Sequence, residues 1–227
     1  MTDKRLLACA EYVSGVGIAV DVGTDHGYLP CYLAESGKCK RVIAADVNTG
    51  PLKSAQENIK NAHLTDRITT VLSDGLDNIS PDGVSDVVIA GMGGELIADI
   101  VGRARGFYSA RFILQPMSKA ELLRKWLWDN GFDIVSEKVC FESFYYTVML
   151  VRFTGSSRPY SDDEIYRGAV LARTEDEIGY ILKQVERLRV KGNGMLRGGT
   201  DTQQAQRYLS IADKLQSFAE DKGGKAL

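Results

Sequence analysis

The chain has 227 residues, and its formal net charge of −2 comes from 28 basic and 30 acidic side chains. With 44% hydrophobic and 26% charged residues, the composition excludes intrinsic disorder and collagen-like repeats. No apolar run approaches the ~18 residues of a membrane span, and the N-terminus leads into no long apolar segment. Four cysteines form no C-x-x-C pair and there are only two histidines, so we expect a cytoplasmic protein with reduced thiols, no metal site and no membrane partner.

Apolar strands and amphipathic helices alternate over residues 1–153. Short apolar runs predict strands at 18–23, 41–46, 68–72, 84–90 and 111–115, with helices at 28–36, 51–62, 95–105 and 120–130. The last two strands, 132–141 and 145–153, are separated by only three residues and therefore predict an antiparallel hairpin. This order predicts an α/β fold with a doubly wound, Rossmann-like, seven-stranded sheet. Its terminal antiparallel strand resembles the class I fold of methyltransferases that use S-adenosyl-L-methionine (SAM).

The character of the sequence changes after residue 153. Residues 154–160 are rich in glycine, serine and proline and are typical of a linker. Residues 161–227 predict a second domain, a coiled-coil-like helical hairpin, because apolar residues recur there at spacings of three, four and seven. Glycines at 192, 194, 198 and 199 are expected to break the helix between the two arms. Such a hairpin can serve packing or dimerisation, which leaves the oligomeric state open between a monomer and a weak dimer.

Positive charge is concentrated in this tail. Across residues 183–197 a single acidic residue, Glu186, opposes five cations and leaves a net charge of +4: Lys183, Arg187, Arg189, Lys191 and Arg197. We expect the five at the tip of the hairpin, where they would bind the phosphates of a nucleic acid. A solvated helix face is the alternative interpretation of such a run.

An acidic, glycine-containing turn ends the first predicted strand, with the sequence Asp21-Val-Gly-Thr-Asp-His-Gly27. Glycine at such a turn lets the backbone approach a ligand closely. The turn is not a G-x-G-x-x-G motif, because Asp25 stands where the second glycine would be. An acidic turn would repel a pyrophosphate but suits SAM, which carries a cationic sulfonium and an ammonium group. His26 in this turn either shapes the loop or contacts the ligand.

Each of the next four predicted strands also ends in residues suited to ligand binding. Asp46 could accept both ribose hydroxyls of an adenosyl group, and Asp74 could hold its adenine amino group. The glycines of 91–94 would clear space for a flat base on the substrate side, and Gln115 before Pro116 offers a donor and an acceptor. The Asn/Asp-Pro-Pro-Tyr/Phe motif of many enzymes that methylate an adenine amino group is absent at 91–94.

Together, residues 21–30, 45–51, 73–76, 89–94 and 114–116 closely resemble the bacterial tRNA (adenine(22)-N1)-methyltransferase family (TrmK). The resemblance implies SAM as methyl donor, tRNA as partner, and N1 of an adenine in the D-arm, position 22, as acceptor. In the expected site, Asp25 and Tyr28 are catalytic. The cofactor contacts are Asp21, Gly23, Thr24, His26, Gly27, Asp46, Val47, Asn48, Asp74, Gly75, Leu76 and Gly91. The substrate contacts are Met92, Gly93, Gly94, Gln115, Pro116 and the five cations of the tail.

Two other functions remain open on the sequence. One is methylation of a small molecule, with the helical tail used for dimerisation. The other is a regulator that binds SAM without turning it over.

Overall fold

A computed structural model describes residues 3–223, so the ends of the two expected domains, residues 1–2 and 224–227, lie outside it. Seven strands form one sheet in the order β3-β2-β1-β4-β5-β7-β6. The strands are β1 (Ile18–Val22), β2 (Val42–Asp46), β3 (Ile68–Leu72), β4 (Val84–Gly93), β5 (Arg111–Ser118), β6 (Phe132–Phe141) and β7 (Tyr145–Phe153). The first five strands run parallel, and β7 lies antiparallel between β5 and β6. The predicted seven-stranded sheet with its antiparallel hairpin is therefore confirmed.

Helices cover both faces of the sheet. They are α1 (Lys4–Tyr12), α2 (Tyr28–Glu35), α3 (Thr49–Asn61), α4 (Gly94–Arg103) and α5 (Ala120–Asp129). Residues of α1, α2 and α3 form one hydrophobic cluster and those of α4 and α5 another. Strand β4 contributes to both clusters: Val87 packs with α4 and α5, and Val88 packs with α1, α2 and α3. This alternation gives a core on each side and leaves the carboxyl ends of the parallel strands open along one edge.

Helix α1 was not expected from the sequence. It begins after Asp3, whose carboxylate accepts hydrogen bonds from the backbone amides of Arg5 and Leu6 at 2.9 and 3.3 Å. The helix buries Ala8, Cys9 and Ala10. A nine-residue helix with a narrow face of small residues gives only a weak periodic signal, and packing on the sheet supplies its stability.

The tail consists of α6 (Asp162–Arg167), α7 (Glu175–Arg197) and α8 (Thr202–Gly223). Helices α7 and α8 pack antiparallel, as expected, but the break predicted at residues 192–194 is wrong. Gly192 lies inside α7, where a Cβ would come within 3.0 Å of the Ala205 carbonyl oxygen and of Leu209. This glycine lets the two helices approach closely, and the chain reverses only at residues 198–201. The first arm is itself interrupted, because α6 ends at Gly168, which has φ +66°, and α7 begins only at Glu175.

The coiled-coil character expected of the tail is not confirmed. Its core joins Ile181 and Leu188 of α7 to Ile211 and Leu215 of α8, but it also takes in Val139 of β6 and Tyr145 of β7. The hairpin thus shares its apolar core with the edge of the sheet, whereas a coiled coil buries its apolar seam between helices alone.

A buried ion pair lies where the tail meets the sheet. Arg124 of α5 and Glu137 of β6 are both almost fully buried, with 2.6 Å between Nη2 and Oε1. Arg124 also donates to the carbonyl oxygens of Ile165 and Tyr166, each at 2.9 Å, and to the Tyr180 hydroxyl at 2.8 Å. The second oxygen of Glu137 accepts from the Ala169 amide at 3.0 Å. Both charges are therefore neutralised by partners from α5, β6 and the tail together.

Removing one member of this pair should destabilise the whole chain. Glu137→Gln leaves the Arg124 guanidinium charged, buried and unpaired, and losses of about 3–5 kcal/mol are usual when a buried pair is broken. We expect a loss of this size in the free energy of unfolding measured by urea denaturation. Arg124→Met with Glu137→Leu should lose less, since no charge then remains buried. The exposed Lys125–Asp129 pair on the same helix is the control, and Asp129→Asn should change little.

Candidate active site

The turn after β1 is folded back onto the end of β2. The backbone amides of Gly23 and Thr24 both donate to the Ala45 carbonyl oxygen, at 2.8 and 2.9 Å. Gly23 has φ +80° and lies under the methyl group of Met92, where a side chain would collide. The turn therefore requires glycine at this position both for its left-handed backbone and for the contact with Met92.

Two polar groups in this turn are buried without full compensation. Asp21 is the penultimate residue of β1, and burial raises the pKa of its carboxyl to about 6; the Thr24 side chain acts against this rise and the nearby Asp46 carboxylate adds to it. The buried Thr24 hydroxyl faces this carboxyl but makes no well-formed hydrogen bond with any described residue. Buried polar atoms normally have partners, so an unpaired one beside a cavity points to a ligand that completes the site.

Two adjoining cavities lie at this edge of the sheet and share Gly23, Ala90 and Gly91. The first, of about 270 Å³, is lined by the ends of β2 and β3 and by residues of β4 and α4: Val22, Asp46, Val47, Asn48, Ser73, Asp74, Gly75, Met92, Leu96 and Ile100. The second, of about 390 Å³, is lined by the turn after β1, by α1 and by β5: Asp3, Arg5, Leu6, Asp21, Thr24, Asp25, His26, Tyr28, Leu29 and Gln115.

Asp46 presents one free carboxylate oxygen in the first cavity. Its Oδ1 accepts from the Asn48 amide at 2.7 Å, and its side chain is otherwise buried at the end of β2. Asp74 stands in the same cavity, and Arg103 of α4 holds its Oδ1 at 3.1 Å. Two acceptors at neighbouring strand ends can each receive hydrogen bonds from a ligand with several donors.

Asp25, His26 and Tyr28 form the rim of the second cavity. The Asp25 carboxylate is 77% exposed and lies 3.4 Å from Nε2 of His26. The rings of His26 and Tyr28 have centroids 5.3 Å apart, and the His26 carbonyl oxygen accepts from Asn58 at 2.9 Å. An exposed carboxylate beside two rings is suited to a planar ligand that becomes positively charged.

Gln115 differs from what the sequence predicts. Its side chain is buried; Oε1 accepts from the Gly91 amide at 3.0 Å, and Nε2 donates to the Pro116 carbonyl oxygen at 3.1 Å. The amide group is thus occupied in fixing the Gly91 backbone, which both cavities share. Gln115 positions the loop, although we expected it to offer its donor and acceptor to a ligand.

Several other predicted site residues lie near the two cavities without lining them. Gly27 has φ +70° and packs against Ala55 of α3, while Leu76 belongs to the core beneath β4. Pro116 is buried in β5, where it pairs with Met92. Gly93 and Gly94 join β4 to α4 beside Ser118 and Lys119. These residues shape the loops that carry the lining residues.

Helix α1 contributes to the second cavity, which was not expected from the sequence. Asp3, Arg5 and Leu6 line the second cavity, and the Arg5 guanidinium reaches Met117 and lies 5.2 Å from the centre of the Tyr146 ring. The one available signal was Asp3 as an N-cap residue before a short apolar stretch. That signal predicts a helix, but not where the helix packs.

The five cations of the tail are not clustered at its tip, and that expectation is wrong. They lie along α7 over about 21 Å, because each helical residue advances the chain by about 1.5 Å. Lys183, Arg187 and Lys191 recur every four residues and share one face, which we call the basic face of α7. Arg189 and Arg197 line a different groove.

Most of these cations have partners within the molecule. Lys183 pairs with Glu186 at 2.6 Å, Arg187 with Glu121 of α5 at 3.4 Å, and Arg189 with Asp213 of α8 at 3.1 Å. Lys191 lies over the Tyr208 ring. Exposed ion pairs contribute little to stability, so these side chains remain available to an anionic partner.

The comparisons with known proteins agree with this geometry. Residues 2–149 match the family model "Methyltransferase domain". The chain is 36% identical over 138 residues to tRNA (adenine(22)-N(1))-methyltransferase of Bacillus subtilis strain 168. That match covers 60% of this chain and 58% of the relative's length.

Two solved structures match nearly the whole chain. The crystal structure of the B. subtilis m1A22 tRNA methyltransferase TrmK has a TM-score of 0.81 and 26% identity, over 98% of this chain and 99% of that one. The Streptococcus pneumoniae protein Sp1610, in complex with S-adenosyl-L-methionine, has a TM-score of 0.82 and 32% identity, over 95% and 99%.

No group of three or more His, Cys, Asp and Glu side chains within residues 3–223 is placed to hold a metal ion. In the same part of the chain, no helix is long and apolar enough to cross a membrane.

The raised pKa of Asp21 predicts a pH dependence of stability. In the folded chain this carboxyl holds its proton up to about pH 6, whereas an unfolded aspartate loses it near 3.8. The free energy of unfolding should therefore fall as pH rises from about 4 to above 6. Asp21→Asn should abolish that fall and be more stable than wild type at pH 7. Urea denaturation at several pH values measures this, with the exposed Asp66→Asn as control.

Proposed function

The chain belongs to the tRNA (adenine(22)-N1)-methyltransferase family, and we propose that it transfers the methyl group of S-adenosyl-L-methionine to N1 of an adenine in tRNA. The observation that carries the proposal is the pair of cavities that meet at Gly23 and Gly91, one containing Asp46 and the other edged by Asp25. This arrangement provides separate space for an adenosyl group and for a base beside it. We place the reaction in the cytoplasm, the compartment of the proposed substrate.

The residues of both cavities fit the methyl donor. Asp46 has a free oxygen for ribose hydroxyls, and Asp74 stands at the next strand end for the adenine amino group. The unpartnered Thr24 hydroxyl and the Asp21 carboxyl would face the cationic amino-acid part. When bound, SAM supplies an electrophilic methyl group on a sulfonium.

Positioning accounts for much of the proposed catalysis. The reacting nitrogen, the methyl carbon and the sulfur must lie in line, and holding them so can supply a large part of the rate enhancement. Adenine N1 attacks with its own lone pair, so no strong base is needed for that step. The methylated base is cationic, and the Asp25 carboxylate at the rim would stabilise that charge. Tyr28 would orient the base against its ring, which is 56% exposed.

The target adenine would have to leave its stack to enter the cavity. The basic face of α7 would meanwhile bind the RNA backbone, and such contacts recognise shape more than sequence. Arg187 of this face is held by Glu121 at the start of α5, which follows the cavity-lining strand β5. The catalytic edge and the tail can therefore contact one RNA molecule together.

The proposed function is tested by incubating the protein with methyl-labelled SAM and unmodified tRNA. We expect 1-methyladenosine on nucleoside analysis. Binding of SAM without transfer to tRNA would favour a regulator, and transfer only to small molecules would contradict an RNA substrate.

Asp25→Ala should lower methylation at least a hundredfold while SAM binding, measured by calorimetry, stays near wild type. The reason is that Asp25 lies on the rim of the second cavity, away from Asp46 and Asp74. If SAM affinity falls in parallel with activity, Asp25 is a cofactor contact and its catalytic assignment is wrong. Glu57→Ala, an exposed carboxylate of α3, is the control.

The basic face of α7 is tested by Lys183→Gln, Arg187→Gln and Lys191→Gln combined. Deleting the tail is a poorer test, because it would uncover the buried Arg124–Glu137 pair. Each phosphate contact contributes about 0.7–0.9 to the slope of log K against log salt concentration, so the triple variant should lower that slope by about 2–3. The single variant Lys214→Gln on α8 is the control. An unchanged slope would contradict the assignment of this face to RNA.

A further inference from the structure

Lys119, at the start of α5, has a backbone conformation that side chains rarely adopt. Its φ of +57° lies in the left-handed region, which disfavours any residue with a Cβ. The packing of the surrounding loop requires a tight turn at position 119, but it does not require a lysine there. Gly94 lies against the backbone of this turn: a Cβ on Gly94 would be 2.5 Å from the Lys119 carbonyl oxygen and 3.1 Å from the Ser118 carbonyl oxygen. Glycine or asparagine at position 119 would make the same turn with less strain.

Lys119 does not line either cavity, but it lies beside the loop that joins the first cavity to α4. The residue follows Ser118, whose strand pairs with Gly93, and Met92 in the same β4 segment lines the first cavity. The Lys119 side chain is 51% exposed and pairs with Glu95, whose side chain is 60% exposed. An exposed pair of this kind is weak, so an incoming phosphate can displace the Glu95 carboxylate.

The same segment also leads to the tail. Glu121, two residues after Lys119, holds Arg187 of the basic face of α7 at 3.4 Å. Position 119 thus lies on the segment that runs from the loop beside the first cavity to the contact between Glu121 and α7.

On the basis of the proposed function, we propose that Lys119 binds a phosphate of the target RNA strand next to the adenine that enters the cavity. The contact joins the methyl-transfer site to the basic face of α7 along one RNA backbone. The left-handed backbone at Lys119 turns the chain from β5 into α5 next to Gly94, and the side chain there pairs with Glu95. Lys119 is thus a substrate-positioning residue that needs no contact with the methyl donor.

If Lys119 binds RNA, replacing it should relieve the backbone strain at position 119 and at the same time weaken RNA binding. Lys119→Gly and Lys119→Asn should melt at the same temperature as wild type or higher, because both residues tolerate a positive φ. Both should weaken tRNA binding about five- to tenfold at 0.1 M salt and lower the salt slope by about 0.7–0.9. The KM for tRNA should rise while the Kd for SAM, measured by calorimetry, stays unchanged.

Lys119→Arg should keep the slope of wild type, because it keeps the charge. Lys125→Gln is the matched control: it removes a cation of similar exposure from the same helix, paired there with Asp129. If the Lys119 variants keep the wild-type slope and KM, or if they lose SAM affinity with an unchanged slope, the proposal is wrong while the proposed function stands. If wild type itself shows no salt-dependent tRNA binding, both are wrong.

Discussion

The ion pair between Arg124 and Glu137 is the constraint on which the arrangement of the two parts of the chain depends. Charges taken out of water must find complete compensation within the protein. Here the compensation comes from both sides, since α5 and β6 supply the pair while Ile165, Tyr166, Ala169 and Tyr180 supply the remaining hydrogen bonds. A different orientation of the tail would break several of these hydrogen bonds at once and leave buried charge without partners.

The orientation of the tail bears on the candidate site because α5 runs from the loops beside the cavities to the buried Arg124–Glu137 pair. The helix begins at the end of β5, beside the glycine loop that follows β4, and its first turn carries Glu121 against α7. One turn further along, Arg124 is buried under the tail. Helix α5 therefore links the position of the tail to the loops that line the cavities.

Much of the sheet and part of the site could be predicted because the signals are local. Apolar runs gave β3, β6 and β7 at their observed bounds, and residues at strand ends such as Asp46 and Asp74 had to share one edge of a parallel sheet. Long-range packing decided what could not be predicted. Arg5 reaches the second cavity only because α1 packs on the sheet, Gly192 is set by its contact with α8, and the role of Gln115 depends on Gly91, 24 residues away. A charge run likewise says nothing about which helix face each cation occupies, so the cluster expected at the tip was spread along α7.

The contact between Met92 and Gly23 has a consequence for how the two cavities work together. The methionine methyl group lies over Gly23, one of the residues that both cavities share, so its position limits the space where the cavities meet. The unbranched methionine side chain has several rotamers of similar energy, so it can change its conformation at little cost in free energy. The space available where the two cavities meet therefore depends on the rotamer of a single side chain.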